Sequence, residues 1–261
     1  MPAPGAALNS YTWEEIRMIS DAGKASEYFS VGDTKSITIN GKVGTTTFNN
    51  LTVDVVIIGI DHNSSREGTN RIHFLIGTNN GKLIGLVGNY YLTYTSESGA
   101  FTMNTTNSNT GGWASSHMRT TVLGSNSTPN SPTANTLLSA LPNDLRTVMK
   151  PVTKYTNNTG QSTSSSAITA TTDYLFLLSE YEVEGLRSDA NQYEKNYQAQ
   201  YQYFKTSNRI AYRHDSTSSV TVWHMRSPWA SGTQFVCMGN NGSHFGSPAT
   251  YSVTLVAGFT V

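Results

Sequence analysis

Trp223-His224-Met225-Arg226-Ser227-Pro228-Trp229 opens the stretch on which the reading of this chain turns. An aromatic, basic, proline-bearing knot leads into glycine-, asparagine- and serine-rich sequence over 230–233 and 240–251. The stretch closes on a run of period two, with Val253, Leu255, Ala257, Phe259 and Val261 on one face and Thr254 and Thr260 on the other. That alternation predicts a half-buried strand, held in a sheet as far as the last residue. Small polar and aromatic residues slung between two anchored strands read as a binding surface. The rest of the chain reads as its scaffold.

Working outward, the composition narrows the partners. The 261 residues carry 17 basic and 17 acidic side chains, and the charged fraction of 13% is about half the usual share. Asn, Ser, Thr, Gly and Tyr fill the deficit. Without clustered Lys and Arg nothing attracts a phosphate backbone, so no nucleic acid is expected. An anionic membrane is equally unsupported. Cys237 is the one cysteine, which excludes an intrachain disulfide or a cysteine metal cluster and predicts a small buried hydrophobe. Met1-Pro2-Ala3-Pro4-Gly5 has neither the basic nor the apolar region of a secretory signal, and no apolar run approaches the ~18 residues of a span. The expectation is synthesis in a cytoplasm, no membrane insertion, and another route to any site of action outside the cell.

Taken in order, Thr12-Trp13-Glu14-Glu15 is a capping-box pattern, and Trp13, Ile16 and Ile19 recur at helical spacing, predicting a helix over 13–22 with Trp13 as a core anchor. Period two begins at Val31. A strand over 35–40 ends at Asn40-Gly41, a hairpin-turn pair. The apolar 51–60 predicts a strand buried on both faces. Strands over 71–77 and 82–87 pair around Thr78-Asn79-Asn80-Gly81. Residues 90–112 read as a polar loop. Helical pattern returns over 114–123, 133–141 and 143–149, and 156–172 reads as mobile or looped out from its Thr, Ser, Asn and Gly content. Residues 174–178 form a buried element. The run 191–204 spaces Tyr193, Tyr197, Tyr201 and Phe204 helically, an aromatic face or, more simply, a helix or loop packed on the body. Strands, then helices, then strands again give an α+β pattern. The expected organisation is an N-terminal helical arm over 1–30 and a single domain over 31–261.

Catalytic signatures are absent from the pattern. His62, His73, His117, His214, His224 and His244 are scattered without HExxH, and there is neither a GxSxG elbow nor a P-loop. Asp33, Asp54, Asp61, Asp173 and Asp215 fall in unrelated contexts. Glu180, Glu182 and Glu184 stand too close in sequence to read as an acid/base pair. A triad assembled from distant residues is invisible to spacing. Asp61, His62 and Glu67 can be drawn as metal ligands, but their spacing matches no established site, and a solvated loop with local ion pairs is the expectation. No enzyme, no metal and no cofactor are expected.

Four phrases carry a resemblance. Gly111-Gly112-Trp113 with Ser116 and Met118-Arg119 resembles "GGW..S.(L)R". Leu141-Pro142 with Leu145-Arg146 resembles "LP..LR". Asp173 to Leu178-Ser179-Glu180, with Glu182 and Gly185, resembles "D.LFLLSE.E..G". Trp223 with Arg226-Ser227-Pro228 resembles "W..RSP". Together, over 31–261, they resemble an uncharacterised bacterial and phage domain family. That family is similar to the C-type-lectin-like fold, shared with sulfatase-modifying factors and with phage tropism proteins diversified by retroelements. The resemblance implies mixed and antiparallel sheets, two or three short helices, long polar loops and a binding face over 223–252. Two departures bear on chemistry. The Glu-Pro-Asn, Gln-Pro-Asp and Trp-Asn-Asp tripeptides of calcium-dependent lectins are missing, and one cysteine cannot supply the cysteine pair of the sulfatase-modifying enzymes.

Loops rich in Tyr, Ser, Gly, Asn and Trp join rigid aromatic area to adaptable hydrogen bonding, as in antibody loops. On that ground Trp229, Ser231, Thr233, Asn240, Asn241, Ser243, His244, Phe245, Ser247, Thr250 and Tyr251 are the candidate ligand-binding residues. Trp113, Trp223, Arg226 and Pro228 are framework, with Arg226 donating to loop carbonyls. The resemblance implies a receptor-binding protein of a phage or prophage particle, a homo-oligomer located on the virion. Its loops would meet a host-surface protein or glycan, and its other contacts would be virion subunits. Adenine-directed diversification of Asn codons would leave Trp223, Met225, Trp229, Gln234 and Met238 as unchanged framework. A structural virion protein, a fibre head or decoration protein, is the alternative, ahead of a hydrolase or modifying enzyme.

Overall fold

Val55, Val56, Ile57 and Ile58 are all buried, so the strand that carries them is covered on both faces and lies inside a sheet. The computed structural model describes residues 1–87 and 101–261. Its strands run β1 (Thr34–Val43), β2 (Thr46–Ile60), β3 (Ile72–Asn79), β4 (Lys82–Gly85), β5 (Val152–Asn157), β6 (Ile168–Asp173), β7 (Leu175–Leu177), β8 (Ala211–Arg213), β9 (Ser216–Thr221), β10 (Trp223–Pro228), β11 (Gln234–Met238), β12 (His244–Pro248) and β13 (Ala257–Thr260). An eight-stranded sheet follows the order β1-β2-β3-β4-β8-β9, with β13 between β3 and β7. Two smaller sheets, β10-β11-β12 and β5-β6, complete an α+β architecture. No helix among the described residues is long and apolar enough to cross a membrane.

The helix Trp13–Asp21 forms where its cap predicts. Thr12 Oγ1 accepts from the Glu15 N–H at 3.2 Å and the Glu15 carboxylate accepts from the Thr12 N–H at 2.8 Å. Trp13 meets Phe74 and Phe259 edge-on, and those two rings stack at 5.0 Å. The turn at Asn80-Gly81 is likewise where the sequence puts it.

Other expectations are corrected. Asn40-Gly41 is not the hairpin turn. β1 continues to Val43 opposite Thr46, with a bulge between Ile39 and Gly41, and Asn40 Oδ1 accepts from the Asn50 N–H across the ladder. The C-terminal run is buried on both faces, and β13 is also paired along both edges, with β3 and β7. Its hydroxyls find internal partners: Thr260 Oγ1 donates to the Lys150 carbonyl, and Thr254 Oγ1 meets Thr221 Oγ1 at 2.7 Å. Residues 156–172 are looped out only over 158–167, and the two ends of the stretch are strands. β5 and β6 pair in unbroken register from Val152↔Asp173 to Asn157↔Ile168, and the Asn157 and Asn191 amides donate to the Ser162 carbonyl in the connecting loop. Helical segments are shorter than their patterns suggest: a π-helix over Met118–Leu123 and single turns at Leu137–Ala140 and Asn143–Arg146. The run 191–204 follows the simpler of its two readings: it is a loop packed on the body, with 3₁₀ turns at Glu194–Asn196 and Gln202–Lys205, and it buries Tyr201 and Phe204. Of the 90–112 loop, 90–100 lies outside the described residues. Phe101 and Met103 beyond it are buried, and Thr102 bridges to Ser252.

Candidate functional site

The knot at 223–229 becomes β10, and every residue of β10 is buried. Trp223 pairs with Met238 and His224 with Cys237; β12 then lies against β11 from Gln234↔Pro248 to Met238↔His244. At the β11–β12 turn the Gly239 N–H donates to the Ser243 carbonyl at 2.7 Å, and Asn241 Oδ1 accepts from the Ser243 N–H at 3.0 Å. Gly242 takes φ +80°, which glycine adopts freely. Against this tip is a hollow of 320 Å³ lined by Val222, Gly239, Asn240, Asn241, Ser243, His244 and Phe245. Phe245 rests on a small apolar cluster of Val222, Cys237 and Val253 and forms the floor. Asn240, Asn241 and Ser243 are exposed at the rim.

The predicted binding residues therefore divide. Asn240, Asn241, Ser243, His244 and Phe245 converge on the hollow. Ser231, Thr233 and Thr250 lie at the opposite end of β11, where the Ala249 N–H donates to the Thr233 carbonyl at 3.1 Å. A five-residue strand separates the two ends by roughly 15 Å. Tyr251 follows Thr250 and is half-buried. Ser247 is corrected: it is buried, with its hydroxyl beside the Cys237 thiol. Trp229 is corrected in part. It is half-buried against the core, and its ring covers Gly246 so closely that a Cβ there would collide with it. Sequence alternation missed both, because pairing with β11 turns 247 inward and Gly246 leaves a slot for an indole.

The framework residues are buried as expected. Trp223 Nε1 donates to the Arg209 carbonyl at 3.0 Å, and Trp113 Nε1 donates to Asp173 Oδ2 at 3.0 Å while Arg119 Nε holds Oδ1 at 2.6 Å. Pro228 sits opposite Phe235. Arg226 has different partners from those expected. It donates to the Leu177 carbonyl in β7, to Thr156 Oγ1 and, through both terminal nitrogens, to the Glu182 carboxylate.

Glu182 opens onto a buried ionic cluster that also overturns the solvated-loop reading of 61–67. His62 and Glu67 are buried. The Lys154 ammonium lies 2.6 Å from Glu67 Oε2, 3.0 Å from Glu182 Oε1 and 2.8 Å from Tyr201 Oη. Burial works against the Glu182 charge, but Arg226 and Lys154 outweigh it and hold the carboxyl well below the usual range. Burial, reinforced by Lys154, takes His62 down to about 3. Nε2 of His62 and Nε2 of His73 have no hydrogen-bond partner among the described residues. His62, Glu67 and Glu182 have the donor types and closeness of a metal site, yet Lys154 already supplies the cation between the two carboxylates. The cluster ties the loop after β2, β5, β10 and the helix Glu180–Glu184 to one another.

One further pair was invisible in the sequence. Cys237 Sγ stands 3.6 Å from His224 Nδ1. Burial pushes the thiol up to about 12 and the imidazole down to about 4, so both are neutral and the pair is not an activated thiolate.

These elements define an α+β domain that displays a polar hairpin on a charged, buried core. The chain belongs to the family described as Domain of unknown function (DUF6273), whose profile matches residues 89–254. No curated protein and no solved structure matches it. The matched span includes β5 to β12, hence the hollow, Arg226 and Glu182, and leaves β1 to β4 outside.

Proposed function

We propose that this protein is a non-catalytic recognition domain whose β11–β12 tip contacts a ligand on a host surface. The observation that carries the reading is the hollow: an apolar floor at Phe245 and Val222, an uncharged polar rim at Asn240, Asn241 and Ser243, and a fully buried strand beneath. Ligand sites combine apolar area with a few placed polar groups in this way. On the framework side, Trp223, Met225 and Met238 are fully buried and Trp229 and Gln234 half-buried, while Asn240, Asn241 and Ser243 are exposed. Variation at the rim would leave the core untouched.

The finer reading is a C-type-lectin-like domain acting as a receptor-binding protein of a phage or prophage particle, with many copies raising a weak single-site affinity. Binding of the full chain to candidate host cells, compared with an Asn240→Ala, Asn241→Ala, Phe245→Ala triple variant, tests it. The expected outcome is loss of most retention, with circular dichroism showing the fold retained despite the packing that Phe245 gives up. Equal retention by both proteins would remove the reading.

A further inference from the structure

His244 stands among three carboxylates. Its Nδ1 is 2.6 Å from Glu184 Oε2, while its Nε2 is 3.3 Å from Asp189 Oδ2 and 3.8 Å from Glu180 Oε1. A neutral imidazole has one N–H. Donated to Glu184, that hydrogen leaves the Nε2 lone pair facing two carboxylate oxygens, an arrangement that a cation on Nε2 stabilises. An outer carboxylate fixes the tautomer of metal-bound histidines in the same way.

Glu180 reaches this position independently of His244. The backbone N–H groups of Ser188, Asp189 and Ala190 all donate to its carboxylate, at 2.7 to 3.2 Å, and the side chain is fully buried. It cannot swing away from Asp189, whose carboxyl is pushed up by burial and by the Glu180 charge. The cations nearby are engaged at the margins. Arg209 Nη1 is 3.0 Å from Glu184 Oε1, and Arg187 acts on Asp189 from a distance. Three carboxylates against two guanidiniums leave an excess of one negative charge when His244 is neutral. The donor atoms of His244, Asp189 and Glu180 lie within 4.8 Å of one another. Ligand distances of ~2.1 Å require donor separations of about 4 Å or less, and both separations from Nε2 already meet that limit. The His244 and Asp189 side chains are 25% and 22% exposed, so an ion has a route in and water can complete its shell.

We propose that His244 and Asp189, with Glu180 as a third ligand, bind a zinc-type divalent ion, and that Glu184 orients the imidazole. The mixed nitrogen and oxygen set favours such an ion over calcium, which takes oxygen ligands. This site stands or falls separately from host recognition. A contrast supports it: in the other cluster with metal-site donors a lysine fills the centre, and here no lysine does.

The test is calorimetric titration of Zn²⁺ into the metal-stripped full chain at neutral pH, with Ca²⁺ in parallel and thermal melting as a second readout. One zinc ion per chain is expected, with no calcium binding at the same concentration and a melting point that climbs with zinc. Asp189→Asn and His244→Gln should each weaken zinc binding at least about tenfold, and Glu184→Gln about 10- to 100-fold, with circular dichroism confirming the fold. Asn240→Ala should bind as wild type. Absence of stoichiometric zinc binding by the wild type, or undiminished binding by both ligand variants, would overturn the proposal.

Discussion

Arg226 is fully buried and charged, and its surroundings explain how that is sustained. Glu182, the Leu177 carbonyl and Thr156 satisfy its donors, while Lys154 shares Glu182 and neutralises Glu67. Removing one partner from such a network costs more than the network contributes, because the remaining charge stays buried. Arg226→Met should therefore destabilise the protein by about 3–5 kcal/mol in denaturant melts, and a loss within experimental error would contradict the role assigned to the cluster. Glu194 gives a pH signature of its own. Burial raises its carboxyl to about 7 against the opposing hydrogen bonds of Asn157 N–H, Ser227 and Gln198. A raised folded pKa means the folded state holds the proton more tightly, so this group's stabilisation is complete below the unfolded value of 4.5 and is lost as pH climbs through about 7. Glu194→Gln should flatten that part of the stability–pH curve, read as melting temperature between pH 5 and 8. A slope unchanged by the substitution would show that Glu194 is not its source.

Elements were legible in the sequence where their determinants are local. The capping box, the apolar 51–60 run and Asn80-Gly81 each encode a structure within a few residues, and each forms. Distant partners decided the others. Asn40-Gly41 has hairpin chemistry, yet pairing of Val43 with Thr46 carries the strand past it. The 156–172 stretch reads as loose, yet Asn191, far along the chain, closes its loop and a cross-strand ladder fixes its arms. At the candidate site, sequence nominated the tip residues from their composition but placed both ends of β11 on one surface. It also missed Glu184 and Asp189 beside His244, since their sequence separations carry no pattern. Gly246 offers a test at this scale. Gly246→Ala pushes a methyl into the Trp229 ring, and overpacking of this kind costs about 1–3 kcal/mol. Thermal melting checks it, and a neutral result would mean the indole packs elsewhere.

For the whole molecule, the low charge content conceals an uneven placement. Lys154, Glu67, Glu182, Arg226 and Glu194 lie inside, and the rim at the tip is made of amides and hydroxyls. These five side chains hold β5, β10 and the helix Glu180–Glu184 together. Net charge therefore revealed nothing of the core. The fold class was legible from the order of patterns. The polar interior was not, because its members come from five separate segments. The surface proposed for recognition is one end of the β10-β11-β12 sheet. The most direct measurement compares two full-chain variants in the same host-cell retention assay: Asn240→Ala, Asn241→Ala, Phe245→Ala at the tip, and Ser231→Ala, Thr233→Ala, Thr250→Ala at the far end of β11. The account predicts that the tip variant loses most retention and the far-end variant keeps it. Loss confined to the far-end variant, or equal retention by both, would contradict it.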